Sequence, residues 1–291
     1  MKVKNILYPK YLTFPALFIF GLFFVIPVLT AFILSFYDWN IDRLLTPKFI
    51  GIDNFKYIFS DEYFLLSSRN TLVYAVVTST VKILLGLMLA IVLNMKLKSR
   101  NVLRTLFYLP AALSYIVVGL VFSSIFRMDG MFNTILGNIG LASLQMDWLG
   151  NSKTALYTAC VAEIWKWSGF TMAIFLAGLQ SISEDYYESA RIDGATAFQQ
   201  FAKITLPMLR PAISVNVTIA VIGGLKVFDS VFVMTGGGPG FASQVLNTYV
   251  YKAFGEGSLG RSSAMGIMLF FAVFVISSIS NNLSRRGGYE V

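Results

Sequence analysis

Histidine is absent from the 291-residue sequence, and Cys160 is the only cysteine. No disulfide can therefore form within the chain, and neither a His-based catalytic triad nor a His/Cys metal cluster can be built from it. Cys160 lies in an apolar run, where a small buried hydrophobic residue is a simpler interpretation than a reactive thiol. The Gly-x-x-x-x-Gly-Lys-Ser/Thr loop that cradles nucleotide phosphates is also missing. We therefore expect no catalytic residues, no metal site and no cofactor bound by this chain.

Charge is scarce as well. Only 13% of the residues are charged, against about a quarter in soluble domains. Hydrophobic residues make up 56% of the chain and the mean hydropathy is +0.69, which favours a lipid bilayer as solvent. The formal net charge is +8, but the basic residues lie mainly between apolar runs and form no dense stripe. A nucleic-acid partner is therefore not expected.

Six apolar runs have the roughly 20 residues that a helix needs to cross a bilayer. They predict an all-α integral membrane protein with six transmembrane helices over residues 13–283, between an N-terminal segment, 1–12, and a C-terminal tail, 284–291. The first run resembles a signal peptide, but it is longer than a usual signal and lacks a cleavage site, so we expect it to be retained. The runs are approximately Thr13 to Tyr37, Thr71 to Met95, Thr105 to Phe126, Thr154 to Gln180, Ala212 to Thr235 and Ser262 to Asn282.

The positions of Lys and Arg predict the direction of the spans. With both termini in the cytoplasm, twelve Lys/Arg lie inside and eight outside, and the net charge is +7 inside and zero outside. Basic residues concentrate in short cytoplasmic segments of membrane proteins, so this orientation is favoured. Five charges remain within the predicted spans, where unpaired charge is costly, and we expect them to face the protein interior. They are Lys82, Lys166, Lys226, Glu163 and Asp229.

Residues 181–211, between the fourth and fifth runs, are too polar to span the membrane. Ser181 with Glu184 and Thr196 with Gln199 have the spacing of capping boxes, and Gly194 can supply a left-handed stop, so two short helices are predicted. Apolar residues recur on one face of the second helix until prolines interrupt it. Lipid headgroups, the rest of the helical bundle or another protein could each cover this apolar face. The face is Phe198, Phe201 and Ile204, and the prolines are Pro207 and Pro211.

The same segment resembles the Glu-Ala-Ala loop of bacterial ABC import permeases. The run Glu188-Ser-Ala190 is followed by Gly194 after three residues and by Ile204-Thr-Leu206-Pro207 after nine more, with Ser189 in place of the usual second alanine. The resemblance implies the type I ABC importer architecture, in which this loop forms a coupling helix seated in a cleft of the ATPase subunit. It assigns the contact to residues at or near the motif: Glu188, Ser189, Ala190, Asp193, Gly194, Ile204, Leu206 and Pro207.

That resemblance also implies the partners. ATP and Mg²⁺ would be bound by two copies of an ATPase subunit, and because each chain has one coupling loop, a second homologous permease would complete a heterodimeric pore. The complex would lie in a bacterial or archaeal cell membrane.

Further stretches resemble the carbohydrate-type permeases of maltose- and glycerol-phosphate-like importers. These are 49–55 with Asn70-Thr71, 104–110, and Phe228-Asp229 followed by Thr235-Gly-Gly-Gly-Pro239 and the aromatic residues after it. In that family an extracytoplasmic solute-binding protein binds the permease at its outer surface. The glycines would permit that protein to approach the backbone closely. A plain loop is the alternative. The segment consists of Gly236, Gly237, Gly238 and Pro239.

For the solute path, Glu163 to Phe170 and Lys226 to Asp229 place polar and aromatic groups at helical spacing. Trp165, Trp167 and Phe228 are candidate liners for a sugar, although aromatic packing between helices is the alternative. Likewise Glu163 with Lys226, or Lys166 with Asp229, is predicted either as an interhelical pair or as substrate contact. A stand-alone secondary transporter driven by an ion gradient is the rival function. A membrane enzyme lacks a constellation of nucleophile, base and metal ligands.

Overall fold

The computed structural model describes residues 13–95 and 97–285, and these are mostly helical. Apolar runs form helices because, in a bilayer without water, the backbone N–H and C=O groups must form their hydrogen bonds within the segment. The helices are α1 (Phe14–Phe20), α2 (Ile26–Leu34), α3 (Asp53–Ser60), α4 (Glu62–Asn94), α5 (Arg100–Ala112), α6 (Tyr115–Phe126), α7 (Met131–Asn138), α8 (Ala155–Gln180), α9 (Glu184–Ile192), α10 (Ala197–Gln200), α11 (Leu206–Met208), α12 (Arg210–Leu225), α13 (Asp229–Thr235), α14 (Leu246–Gly255) and α15 (Leu259–Arg285).

Short elements join some of these helices. A π-helical turn at Gly21–Val25 continues α1 into α2, and another at Phe201–Thr205 continues α10 into α11. Two-residue strands, β1 (Tyr37–Asp38) and β2 (Lys48–Phe49), pair antiparallel, with Tyr37 opposite Phe49. Turns of 3₁₀ helix lie at Ile41–Arg43 and Ala142–Leu144.

The chain divides into two compact units. The smaller contains the residues up to Asp61 together with Val250–Phe270. Its centre is the buried amide of Asn54, which donates to the carbonyls of Ser35 and Tyr37 at 2.8 and 2.9 Å. The amide thereby fixes the end of the first apolar run against α3.

The larger unit contains Glu62–Tyr249 and the residues from Phe271 onward, and it holds the predicted pathway and the predicted coupling loop. In it α8 packs along α4 and α5, and α12 packs on α4. Glycine allows two of these approaches: a Cβ at Gly169 would lie 1.7 Å from the Phe107 carbonyl oxygen, and one at Gly224 would lie 2.6 Å from the Ala75 Cα. The backbones can therefore meet closely around α8 and α4.

Four helical stretches in the described residues are long and apolar enough to cross a membrane. A pair of consecutive helices with a sharp bend between them makes a fifth if the pair is counted as one span. No residue of α1 or α2 is buried, although both are strongly apolar, as expected for lipid-facing helices. Helix α8, with 26 residues, is long enough to cross a membrane but is not among these stretches. It carries the charged residues Glu163 and Lys166. The stretches are Phe14–Leu34, Glu62–Asn94, Tyr115–Asn138 and Leu259–Ile279, and the pair is Ala197–Met208 with Arg210–Leu225, bent by 65°.

Two predicted spans are not continuous helices. The run Thr105 to Phe126 is broken at Leu113, which is extended, and Ser114 then caps α6 by accepting from the Ile116 amide. The run Ala212 to Thr235 is broken after Leu225, so the prediction of helical spacing from Lys226 to Asp229 was wrong. Hydropathy did not reveal these breaks because the apolar residues around Ser114, Lys226 and Asp229 keep the average over a window of about 19 residues high. The predicted cytoplasmic segment 1–12, Lys96 and residues 286–291 lie outside the described residues.

Candidate transport pathway and coupling loop

A cavity of about 400 Å³ lies among α4, α6, α8 and α12, within the larger unit. Its walls combine aromatic rings with a few polar groups, which is the usual composition of a small-molecule site. The residues that line it are Lys82, Tyr115, Glu163, Trp167, Phe170, Thr171, Asn216, Ile219, Ala220, Ile222, Gly223 and Lys226.

Glu163 forms a buried ion pair with Lys82 across α8 and α4. The Lys82 Nζ lies 3.1 Å from Glu163 Oε1, and the two side chains are 4% and 5% exposed. The predicted alternatives, Glu163 with Lys226 and Lys166 with Asp229, are wrong: neither pair is formed in the described part of the chain. Lys82 had been predicted to face inward but not assigned to Glu163, because hydropathy does not give the rotation of one helix against another.

A hydrogen-bond chain continues from Glu163 into the aromatic wall. The Tyr115 hydroxyl donates to Glu163 Oε2 at 3.1 Å, and it accepts from the Trp167 indole N–H at 2.7 Å. Trp167 also meets Phe170 edge to face, with ring centroids 5.6 Å apart. Tyr115 was missed from sequence, since its position facing α8 depends on the break at Leu113.

Lys166 does not line the cavity. Its ammonium donates to the carbonyl oxygens of Pro110, Ala111 and Leu113, at the break between α5 and α6. It also lies 4.9 Å from the Tyr115 ring centroid and 5.2 Å from that of Trp167.

The remaining predicted pathway residues are dispersed. Lys226 is exposed and lines the cavity, whereas Phe228 stacks on Phe232 just after the break and Asp229 begins α13. Trp165 packs against Phe122 at 5.3 Å and is 44% exposed. Of the three predicted aromatic liners, only Trp167 borders the cavity.

Asn216 is a further cavity residue that sequence reasoning missed. It is 2% exposed, and its amide donates to the Thr171 carbonyl oxygen at 3.4 Å. The sequence signal for this residue was a single side-chain amide within the apolar run of α12. Because a buried polar group requires a hydrogen-bond partner, such an amide indicates a polar contact inside the bundle.

The loop 181–211 is helical as predicted, but the cap of its first helix is different. Helix α9 is capped by Ser183, whose hydroxyl accepts from the Asp185 amide, and not by Ser181, which donates to the Gly178 carbonyl oxygen. Gly194 has φ +77°, the left-handed stop that was expected. The capping box of Thr196 with Gln199 is confirmed.

The second part of that loop ends differently from the prediction. Pro207 lies in the first turn of α11 and does not stop the helix; the chain bends by 65° at Leu209, and Pro211 opens α12. Proline is compatible with a first turn because no intrahelical N–H bond is required there.

Several motif residues are accessible. Glu188, Ser189, Asp193 and Gly194 are exposed, and Ala190, Ile204 and Pro207 are half-buried, while Leu206 is 39% exposed. Large apolar side chains protrude beside them, with Ile192 87% and Phe198 78% exposed. Tyr187 holds the two halves together, its hydroxyl 2.9 Å from Thr205 Oγ1. The loop is thus joined internally by a hydrogen bond, and it has an uncovered apolar surface in this chain.

Helix α13 ends at Thr235, and Gly236 after it is left-handed with φ +59°, so the sharp stop predicted there is confirmed. Gly237 has φ +90°, and a Cβ there would lie 1.6 Å from Gln244 Oε1. The following turn is held by Asn70, whose amide donates to the carbonyls of Phe241, Ala242 and Gln244 at 3.5, 3.0 and 3.0 Å. The loop is therefore fixed to α4.

The helical bundle and the loop motif define a membrane permease class. A family model described as "Binding-protein-dependent transport system inner membrane component" matches residues 82–287. The chain belongs to this family and is a membrane-spanning permease subunit of an ABC importer.

Individual relatives are similar over nearly the whole chain. The trehalose/maltose transport system permease protein MalF of Thermococcus litoralis is 32% identical over 272 residues, covering 93% of this chain and 91% of that protein. The arabinooligosaccharides transport system permease protein AraP of Bacillus subtilis is 35% identical over 285 residues, covering 95% and 88%. A solved bacterial ABC transporter that imports the acidic polysaccharide alginate has a chain with a TM-score of 0.82 and 27% identity, covering 95% and 94%.

Proposed function

We propose that this permease imports a carbohydrate and forms half of the pathway together with a second, homologous permease. The cavity supports this, since Trp167, Tyr115 and Phe170 offer aromatic surface beside polar groups, as sugar sites do. The permeases of trehalose/maltose and arabinooligosaccharide systems are similar along most of the chain. The rival secondary transporter would leave the protruding loop without a purpose.

The proposed topology has six spans with both termini in the cytoplasm. Its spans are α1 with α2, α4, α5 with α6, α8, α12 with α13, and α15. Helix α8 is included because its 26 residues suffice to cross the bilayer and its charges are satisfied inside the bundle, Glu163 by Lys82 and Lys166 by backbone carbonyls. The orientation rests on the Lys/Arg distribution.

The proposed coupling helix is α9 with the turn at Gly194. Its exposed Glu188 can pair with a basic group of an ATPase subunit, and Ile192 and Phe198 offer apolar surface to a cleft. Two ATPase copies would bind ATP and Mg²⁺, one on each permease. Closure of the ATPases would then move the spans through this loop.

The proposed contact for the solute-binding protein is the loop from Gly236 to Pro239. Gly236 is exposed and Gly238 and Pro239 are half-buried, whereas Gly237 is buried, and the absence of side chains on the glycines allows a second protein to approach closely. The alginate transporter has been solved in complex with a pentasaccharide-bound periplasmic protein, which is a precedent for such a partner.

Affinity purification in mild detergent tests the assembly. We expect an ATPase and a second permease to co-purify, and Glu188→Lys to abolish ATP hydrolysis stimulated by the loaded binding protein. Glu256→Lys, the same charge change at an exposed site predicted to lie outside, is the matched control. Unchanged stimulation in Glu188→Lys would refute the coupling role, and ion-driven uptake by this chain alone would establish the rival function.

A further inference from the structure

Both carboxylate oxygens of Glu163 are already hydrogen-bonded to the protein. Oε1 accepts from Lys82 and Oε2 accepts from Tyr115, both at 3.1 Å, and the side chain is 5% exposed. A buried carboxylate that is paired and hydrogen-bonded in this way is costly to disturb. Although it borders the cavity, Glu163 is committed to its two protein partners.

The two rings that follow have no hydrogen-bond donor left over. The Tyr115 hydroxyl donates its proton to Glu163 and accepts from Trp167, and the Trp167 indole has a single donor, which this contact uses. While these contacts hold, neither ring can donate a hydrogen bond to a solute, and what both offer the cavity is the apolar surface of the ring. Such surfaces bind the C–H faces of a sugar ring rather than its hydroxyls.

The chain of contacts joins three separate helices. Lys82 is on α4, Tyr115 is the first residue of α6, and Glu163 and Trp167 are one turn apart on α8. An aromatic side chain has only two torsions, so one hydrogen bond at the end of the ring restricts it strongly. The orientation of the Tyr115 and Trp167 rings thus depends on the Glu163 carboxylate, to which the chain of hydrogen bonds leads.

We propose that Glu163 is a positioning residue, which holds the rings of Tyr115 and Trp167 as a fixed stacking wall for a saccharide while Lys82 neutralises its charge. The proposal rests on the proposed carbohydrate function. It assigns Glu163 a role through Tyr115 rather than through contact between its carboxylate and the solute.

The test uses the purified complex with its ATPase and partner permease, labelled with 5-fluorotryptophan. The chain has four tryptophans, and Trp167→Phe assigns the Trp167 ¹⁹F resonance in the difference spectrum. Transport is measured in proteoliposomes with the binding protein as maltose, trehalose and lactose taken up per ATP hydrolysed. Tyr157→Phe, at a tyrosine on α8 that is 52% exposed, is the matched control.

Tyr115→Phe keeps the ring and removes the hydroxyl. We expect it to shift or split the Trp167 resonance and to lower uptake per ATP by about threefold to tenfold, the range for one lost hydrogen bond. Tyr157→Phe is expected to change neither.

Two double variants isolate the carboxylate. Lys82→Met with Glu163→Gln keeps an acceptor for Tyr115 in a neutral pair, so the resonance and the uptake ratio are expected to stay near those of the unmodified complex. Lys82→Met with Glu163→Leu removes the acceptor and is expected to match Tyr115→Phe. Should the leucine variant fail to assemble, Tyr115→Phe decides alone.

Equal resonances in the glutamine and leucine variants would overturn the proposal. So would a fall in uptake by Tyr115→Phe without any change at Trp167, since Tyr115 would then contact the solute directly. If the unmodified complex transports no saccharide, the carbohydrate assignment fails, but the ¹⁹F resonances still decide whether Glu163 positions the rings.

Discussion

The Lys166 ammonium donates to the carbonyl oxygen of Ala111 at 3.1 Å, and it does the same to the carbonyls of Pro110 and Leu113. Helix α5 ends here, and the last carbonyls of a helix have no intrahelical partner. Within a bilayer water cannot replace that partner cheaply. A charge predicted to be a pathway or interhelical residue is thus the cap at the end of α5.

Removing this cap should destabilise the fold. Lys166→Met preserves most of the side-chain volume but leaves three backbone carbonyls at the end of α5 without their charged donor, so we expect a loss of about 1–3 kcal/mol or more. The measurement is the thermal midpoint in detergent. Lys153→Met, at an exposed lysine in the preceding loop, is the control. Equal midpoints for the two variants would contradict the capping role.

Much of the helical architecture was predictable from sequence. The apolar runs, the capping box of Thr196 with Gln199 and the stop at Gly236 depend on local chemistry, which a sequence displays directly. The break at Leu113 was not predictable by these means. It depends on a lysine more than 50 residues away that supplies donors to the interrupted backbone.

The site was only partly predictable, because it depends on helix rotation. The charged residues were recognised as a set that must face inward, yet Glu163 could have met any of three lysines. Its partner is Lys82 because α8 packs against α4 in a rotation that brings these two side chains together. Trp165 and Trp167 are two residues apart on α8, so they point in different directions and only Trp167 borders the cavity.

A side chain at Gly169 should separate α8 from α5. In Gly169→Ala the new methyl would lie 1.7 Å from the Phe107 carbonyl oxygen, and because that atom is backbone, one of the helices must move. Such overpacking costs typically about 1–3 kcal/mol. We expect a lower thermal midpoint than in Gly266→Ala, where nothing lies within 4 Å of the added Cβ. A midpoint as high as that of Gly266→Ala would show that the two backbones are not in contact.

Asn70 should control the order of the loop after Gly236. Asn70→Ala removes the amide that donates to Phe241, Ala242 and Gln244 carbonyls, so we expect faster hydrogen exchange in residues 236–246. A loss of about 1.4 kcal/mol would accelerate exchange through local opening about tenfold. Mass spectrometry of peptides measures this directly. Asn138→Ala, at an exposed residue of α7, is expected to leave the loop unchanged, and equal exchange rates in both variants would refute the anchoring role.

Phe198 should contribute to assembly without contributing to the fold. Its ring is 78% exposed in the loop that is proposed to meet the ATPase, so Phe198→Ser removes apolar surface that only a partner or lipid can cover. We expect the thermal midpoint of the isolated permease to change little, while the ATPase that co-purifies falls about tenfold, as the loss of roughly 1.5–3 kcal/mol from a buried aromatic contact allows.

The control for that variant is Leu45→Ser, which removes an apolar side chain that is 96% exposed and predicted to lie on the opposite side of the membrane. If Phe198→Ser and Leu45→Ser retain the same amount of ATPase, the ring is not at the interface and the headgroup layer is its cover. Binding to lipid vesicles then distinguishes a headgroup contact from an ATPase contact. If headgroups cover the ring, a peptide of residues 184–208 with Phe198→Ser would bind the vesicles less tightly than the unmodified peptide. An ATPase contact, by contrast, predicts loss of assembly with no change in lipid affinity.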